Sequence, residues 1–395
     1  MDFDKLRRLA EKNEVSLFDR AGRKRTPPYY YDSLRHALGF YFNTFNTINE
    51  SYDSYAMGLA GRNVSILKSQ LLDEDNTVQA IVSFERFFEL FIKDLLKKTD
   101  RRLTYAHKGL RNNKALELIN KIRNGNFNPG TFDGKYLSAT FRESIDRFYG
   151  LIDLHKSNHS DPIVKRFKKI IKAYGFLDSD EHKASMYLLS WYRDRILHNG
   201  NKLPTLWYLD YMMSQRIIPM VKSLSDIERT SLGDSLFYFQ TVTNINVLEK
   251  ISEVIYDFKE LHDLNKTRKM FHYLLYIGHL KELGRANLNM NWFVRRNVQA
   301  TNEYNYKDPI GRAERFANAE RVHPDFKQIS KCHCCGENTL VVYKLTIDDI
   351  WNPGQTQEID WVKCYLCDYH LRYNVGDPAH FNLSDQRVFM ASDSN

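Results

Sequence analysis

The sequence predicts a mainly α-helical chain that closes on a small β-rich segment anchored by cysteines. Three observations carry this. Apolar residues recur at three- and four-residue steps through most of the first 330 positions, the spacing that puts them on one face of a helix. Hydrophobic residues make up 43% and aromatic residues 13% of the 395 residues, with 24 Tyr and 24 Phe, ample for packed helical cores. All five cysteines fall between 332 and 367, where helical spacing gives way to β-branched, alternating runs.

A chain of this length is expected to hold about two to four domains. Its net charge of +8 favours polyanionic partners, nucleic acid before membrane, although a solvated basic face gives the same balance. No run reaches the ~18–20 apolar residues that a membrane span needs. The start, Met1-Asp2-Phe3-Asp4-Lys5, has no apolar signal core, so a cytoplasmic location is expected. Clustered cysteines agree, reading as metal binding in a reducing compartment rather than a disulfide scaffold.

The elements follow in order. Residues 2–13 and about 31–50 read as amphipathic helices joined by a basic, turn-rich link at 20–28, together an N-terminal region of 1–51. The clearest helix is 77–98, with Ile81, Phe84, Phe88, Phe91 and Leu95 in one stripe widened by Phe87, Ile92 and Leu96. On its other side Glu85, Glu89 and Lys93 follow at four-residue steps, and Glu89 to Lys93 is the favourable ion-pair orientation. Residues 99–160, rich in Gly, Asn and basic side chains such as Arg101, Arg102 and Lys114, read as a loop-containing insertion. A basic helix follows, with Lys165, Arg166, Lys168, Lys169 and Lys172 around Ile163, Phe167, Ile170 and Ile171. It is either a solvated surface helix or an RNA contact. Helix 181–198, a turn at 199–201 and helix 205–224 come next. Two or three more helices occupy about 230–283, and 284–328 is polar and less regular. The domains expected are therefore 1–51, 52–226, 227–327 and 328–395.

In the last of these stand Cys332-x-x-Cys335-Gly336 and Cys364-x-x-Cys367, with 28 residues between Cys335 and Cys364. Two residues between cysteines let one tight turn aim both thiolates at one ion, and Gly336 supplies backbone freedom. Strand-like runs 339–345 and 359–364 lie beside the pairs, the pattern of a zinc ribbon. Four thiolates leave no open coordination position, so the zinc expected here is structural. Cys334 is surplus, and it, His333 or His370 could replace a ligand in another register. A zinc-organised HNH nuclease would need histidines between the cysteine pairs, and none lies between Cys335 and Cys364.

Chemistry is expected elsewhere, in Trp191-Tyr-Arg193-Asp194-Arg195-Ile-Leu-His198-Asn199-Gly200. Arg-x4-His alone carries little, since Arg102 to His107 repeats it. Context separates the two: residues 184–192 are apolar nearly all round, implying a buried helix that ends abruptly in charge and a left-handed stop. Asp194 and His198 are four apart, so the carboxylate could hold the imidazolium. The plainer reading is a capping histidine at a helix end, with Arg193 paired to a nearby acid.

This order of features resembles the HEPN superfamily, helical bundles that include RNA-cleaving toxins and phage-defence effectors. Its Arg-(four to six residues)-His motif is matched by Arg193-Asp194-x-x-x-His198. The Glu-x-x-x-Lys signature of an earlier helix is matched by Glu89-Leu-Phe-Ile-Lys93-Asp-Leu-Leu96. The resemblance covers about 52–226, and the roughly 65 extra residues before the basic helix depart from it. It implies a HEPN-like helical bundle with extra helices, and an endoribonuclease that needs no catalytic metal. In that role His198 is general acid or base, Arg193 stabilises the phosphoryl charge and Asp194 orients His198. It also implies RNA as substrate (tRNA included), a homodimer, and a protein partner that inhibits the enzyme or senses phage. The alternative is a non-catalytic nucleic-acid-binding or regulatory protein that recognises its target through the ribbon.

Overall fold

The computed structural model describes residues 30–46, 74–107, 115–132, 135–199, 203–232, 239, 241–254, 275–290, 308–348, 356–372 and 378–384. The helix expected at 2–13, the basic link 20–28 and the end of the 199–201 turn lie outside them. The described chain is mainly helical, with a four-stranded antiparallel sheet near the C-terminus. None of its described helices is long and apolar enough to cross a membrane.

Helices α1 (Tyr30–Asn43) and α2 (Glu74–Thr99) form the spine. The α2 stripe is buried as its spacing dictates, and Phe87 and Phe91 set their rings 6.2 and 5.6 Å from Tyr30 of α1. Each fully buried Phe stabilises by about 1.5–3 kcal/mol, so this aromatic seam outweighs any local helix preference.

The insertion is more regular than the sequence suggests. It contains helices α3 (Ala115–Arg123) and α4 (Phe141–Lys156), with a small hairpin between them, β1 (Thr131–Phe132) and β2 (Lys135–Tyr136). A capping box starts α4: Glu143 N donates to Thr140 Oγ1 and Thr140 N donates to Glu143 Oε2 at 2.7 Å. Its Ile145, Phe148 and Ile152 are buried, so α4 is a bundle member. Frequent Gly, Asn and basic residues around it hid a short helical period.

Helix α5 (Pro162–Ala173) is the expected basic helix, with Pro162 in its first turn and Asp161 capping Ile163 N at 2.7 Å. Helix α6 (Asp180–Asn199) carries the Arg-x4-His motif. The all-round burial expected of it is not observed. Met186 and Leu189 face the core, but Ala184 is exposed, as are Trp191 at 41% and Leu197 at 57%.

The next expected helix is three pieces: α7 (Leu206–Met212), a π-helical turn Met213–Ile217 and α8 (Ile218–Leu232). Pro219 explains the break. It has no N–H for the preceding turn and its ring crowds the carbonyl four residues back, and a widened turn accommodates both. Helices α9 (Val247–Ser252), α10 (275–290) and α11 (Pro309–Ala319) follow. The last corrects the expectation of irregular structure across 284–328.

The sheet runs β3 (Phe326–Ser330), β4 (Leu340–Asp348), β5 (Thr356–Cys364), β6 (His370–Arg372), each neighbour antiparallel. Its central pair is the two expected strands, lengthened. Alternation splits their side chains: Leu340, Val342 and Val362 join the helical core, while Val341 and Tyr343 pack with Ala317 of α11. The sheet therefore shares one hydrophobic core with the bundle.

Helix α10 is the joint. Lys281 Nζ lies 2.6 Å from Asp210 Oδ1, both side chains fully buried, and donates to Thr44 Oγ1 at 2.9 Å. One residue on, Glu282 accepts from Arg285 at 2.7 Å and from His370 N at 2.6 Å, while Arg285 reaches Asp368 Oδ2 at 2.8 Å. Gly284 is needed here, because a Cβ would lie 2.6 Å from the Phe42 ring.

Candidate active site and metal centre

The metal centre is built by two matching turns. In the first, Gly336 N donates to Cys332 O at 2.7 Å and Cys332 N donates to Glu337 O at 2.9 Å. In the second, Asp368 N donates to Cys364 O at 3.0 Å and Cys364 N donates to Tyr369 O at 2.8 Å. Each turn needs a left-handed residue just after its second cysteine. Gly336 has φ +84° and Asp368 has φ +61°. Glycine takes that conformation freely and aspartate is among the few side chains that tolerate it. At Gly336 a Cβ would also press on Val242 Cγ1 at 3.1 Å.

These turns bring the sulfurs of Cys332, Cys335, Cys364 and Cys367 within 4.8 Å of one another, all buried, positioned to bind a metal ion. The geometry fits tetrahedral coordination. Metal–sulfur bonds of about 2.3 Å require sulfurs about 3.8 Å apart. Cys332 and Cys367 lie 3.8 Å apart, and Cys335 and Cys364 lie 3.6 Å apart. Donation from Cys332, Cys335 and Cys367 holds the Cys364 thiol well below its ordinary value, while burial pushes Cys332 and Cys367 up. A cation is what would let Cys332 and Cys367 ionise.

The alternative ligands point elsewhere. Cys334 faces α10, with Asn287 Nδ2 at 3.8 Å and Leu283 O at 3.9 Å from its sulfur. His333 lies edge-on to Tyr369, ring centres 4.4 Å apart, and burial pushes it down to about 4. The backbone of His370 is tied to Glu282.

The second site lies where α6 crosses α2. Arg193 Nη1 donates to Asp194 Oδ1 at 2.9 Å, and Asp194 holds the guanidinium above its ordinary value. The Asp194–His198 contact expected from their spacing is not among the hydrogen bonds formed. Asp194 is engaged by Arg193, and His198 is exposed, with no hydrogen-bond or ion-pair partner among the described residues. Across the interface, the charges of Glu85 and Glu89 act on Arg193. The expected Glu89–Lys93 ion pair is formed at 2.5 Å.

Sequence reasoning missed Glu85. Read as part of the polar side of α2, it is 4% exposed and sealed beneath the α6 contact. Burial, then the like charge of Glu89, pushes its carboxyl up to about 7, with Asp194 adding to the rise and Arg193 and Lys93 opposing it. One clue was legible. Glu85 and Glu89 stand at a repulsive i,i+4 spacing that is tolerable where one of them is protonated or a cation sits between.

Around this cluster α6 leaves a row of side chains uncovered. Glu181, Ala184, Leu188, Trp191, Arg195 and His198 recur at alternating three- and four-residue steps, and all six are exposed or half-buried. The Arg195 guanidinium lies 4.3 Å over the Trp191 ring. Comparison with family models, curated proteins and solved structures finds no match to this chain.

Proposed function

We propose that the protein is an endoribonuclease that cleaves RNA by attack of the ribose 2′-hydroxyl, with Arg193 and His198 as its catalytic pair. The observation that carries this is their setting: an exposed imidazole and a half-exposed guanidinium lie in the last turns of one helix, the guanidinium within electrostatic reach of the buried Glu85 carboxyl. Arg193 lies within electrostatic reach of Glu85 and Glu89 on α2, far from it in sequence.

On this reading His198 takes the proton of the 2′-hydroxyl as its oxygen bonds to the adjacent phosphorus. The bond from phosphorus to the 5′-oxygen breaks, and that oxygen leaves with a proton. The products end in a 2′,3′-cyclic phosphate and a 5′-hydroxyl. Arg193 offers its planar donor fork to the phosphoryl oxygens. Asp194 is reassigned from orienting His198 to holding Arg193 in place, consistent with their 2.9 Å contact. The uncovered row on α6 supports a homodimer in which a second copy seats against Trp191 and Leu188, bringing another Arg193 and His198 to a composite site.

The metal is proposed to be zinc in a structural role, because four buried thiolates suit that ion and leave no open position. When bound it would fix the two turns, and the phosphoryl transfer uses none of its ligands. A toxin or phage-defence role is the biological setting that the motif resemblance suggests.

The test is to incubate the unaltered protein, His198→Ala and Arg193→Ala with total RNA and with tRNA in the presence of a magnesium chelator. Fragmentation by the unaltered protein alone supports the assignment. Folded variants that cut at the original rate, or cutting that persists through a 2′-deoxy substitution, would contradict it.

A further inference from the structure

The insertion that departs from the motif resemblance carries a surface that the catalytic reading leaves unused. Its residues connect, contact by contact, to the candidate site. Lys93, paired with Glu89, donates from Nζ to Ser138 Oγ at 2.9 Å. Ser138 pairs with Tyr105 in an antiparallel bridge, and the Tyr105 ring lies 5.1 Å from that of Tyr136. Arg101 sits 5.8 Å over Tyr105. Next to it, Arg102 and Arg166 share one carboxylate, Asp100, at 2.8 and 3.3 Å, which joins the turn after α2 to α5. Beyond Arg166, Lys165, Lys168, Lys169 and Lys172 are all exposed on α5, with no ion-pair partner among the described residues.

This surface is held rigidly from beneath. Arg147 of α4, fully buried, donates to Leu103 O at 2.8 Å and Tyr105 O at 2.7 Å. Backbone bonds from Ala106 to Leu137 and from Leu137 to Gly130 tie the turn to the hairpin. Yet its top is apolar and aromatic: Tyr136 is 59% exposed and Leu137 45%. Excess cations beside an exposed tyrosine ring, itself packed on the half-buried Tyr105, form a surface that both screens phosphates and stacks bases. An acidic protein would need the charges but not the uncovered Tyr136 ring.

We propose that this ledge, from Tyr105 and Tyr136 to the lysines of α5, is a docking site for single-stranded RNA that feeds the strand to Arg193 and His198. The feeding role rests on the nuclease reading, while the binding role stands apart from it. The strand's phosphates lie along Arg101, Arg102 and the α5 lysines, and a base stacks on Tyr136. The ledge then supplies affinity for long RNA that a minimal substrate does not use.

The experiment separates the two. On the full chain carrying His198→Ala, binding of a fluorescein-labelled unstructured RNA is measured by anisotropy across a salt series. Lys165→Ala/Lys169→Ala/Lys172→Ala removes three phosphate contacts, so the slope of log K against log salt becomes shallower by ~2 and affinity falls at all sequences. Tyr136→Ala weakens binding by about tenfold with the slope unchanged, as loss of one stacked base requires. With His198 restored, both variants cut a dinucleoside phosphate at the original rate and long RNA more slowly. Native circular dichroism with unchanged affinity and slope in both variants would overturn the ledge. So would tighter binding of the unaltered chain to polyglutamate or to anionic lipid vesicles than to RNA. Binding is read identically whether or not the protein cuts, so the failure of either reading is visible without the other.

Discussion

At the scale of single residues, the informative group is Glu85. A carboxyl whose folded value is about 7 and whose unfolded value is 4.5 keeps its proton on folding and loses it on unfolding between those limits. Its stabilisation is therefore fully present below about pH 4.5 and is lost as pH rises through about 7. The loss is on the order of 3 kcal/mol. Glu85→Gln should remove it, so melting curves of variant and unaltered protein should diverge from pH 4.5 to 7, the variant gaining. Parallel curves would mean the carboxyl is not desolvated. The cysteines were legible in the sequence because ligand spacing is local: two residues between sulfurs suffice to build a turn. Glu85 was not, since its burial depends on α6 arriving from a hundred residues away. The same reasoning explains Asp194. Four-residue spacing allowed a contact with His198, but its immediate neighbour Arg193 reaches it first.

At the scale of elements, α10 and α6 make opposite demands. Helix α10 satisfies its charges internally: Arg285 bridges the fully buried Glu282 and the half-exposed Asp368 of the second cysteine turn. Arg285→Ala strands a buried carboxylate and should cost about 3–5 kcal/mol, whereas Asp368→Gly keeps the left-handed turn and should cost about 1 kcal/mol or less. Chemical denaturation of both variants checks this, and equal losses would place the joint elsewhere. Helix α6 instead leaves the row through Leu188, Trp191 and Arg195 uncovered, with Trp191 in solvent. If that face seats a second copy, Trp191→Glu should be monomeric by light scattering at concentrations where the unaltered chain is dimeric. Cleavage per molecule should then fall with it. The apolar run at 184–192 was visible in the sequence, but a run cannot say whether its outer face meets this chain or another.

At the scale of the whole molecule, the helical bundle and the cysteine-anchored sheet share a single hydrophobic core. The helices of the bundle were largely readable from their period, and the two central strands from their alternation. That the sheet leans on α10 rather than standing as a separate ribbon was not readable, because the contacts join residues such as Glu282 and His370 that lie far apart in the chain. The consequence is that metal loss should reach beyond the sheet. Cys364→Ala should lose the one bound metal ion that the unaltered chain is expected to carry, read by metal analysis of both proteins. It should also melt as one transition at a lower temperature, losing several kcal/mol on the order expected of structural metal sites. A separate early transition for the sheet would show that the shared core does not couple them.

If the protein is the nuclease proposed, its chemistry resides at Arg193 and His198 and not at the cysteines. The most direct test is end-group analysis of cellular RNA after incubation with the unaltered protein and with His198→Ala, magnesium chelated throughout. The unaltered protein should yield fragments ending in 2′,3′-cyclic phosphate and 5′-hydroxyl, with a drop of about 10²–10⁴-fold in the variant. Intact RNA in both samples, or equal fragmentation by a folded His198→Ala, would contradict it.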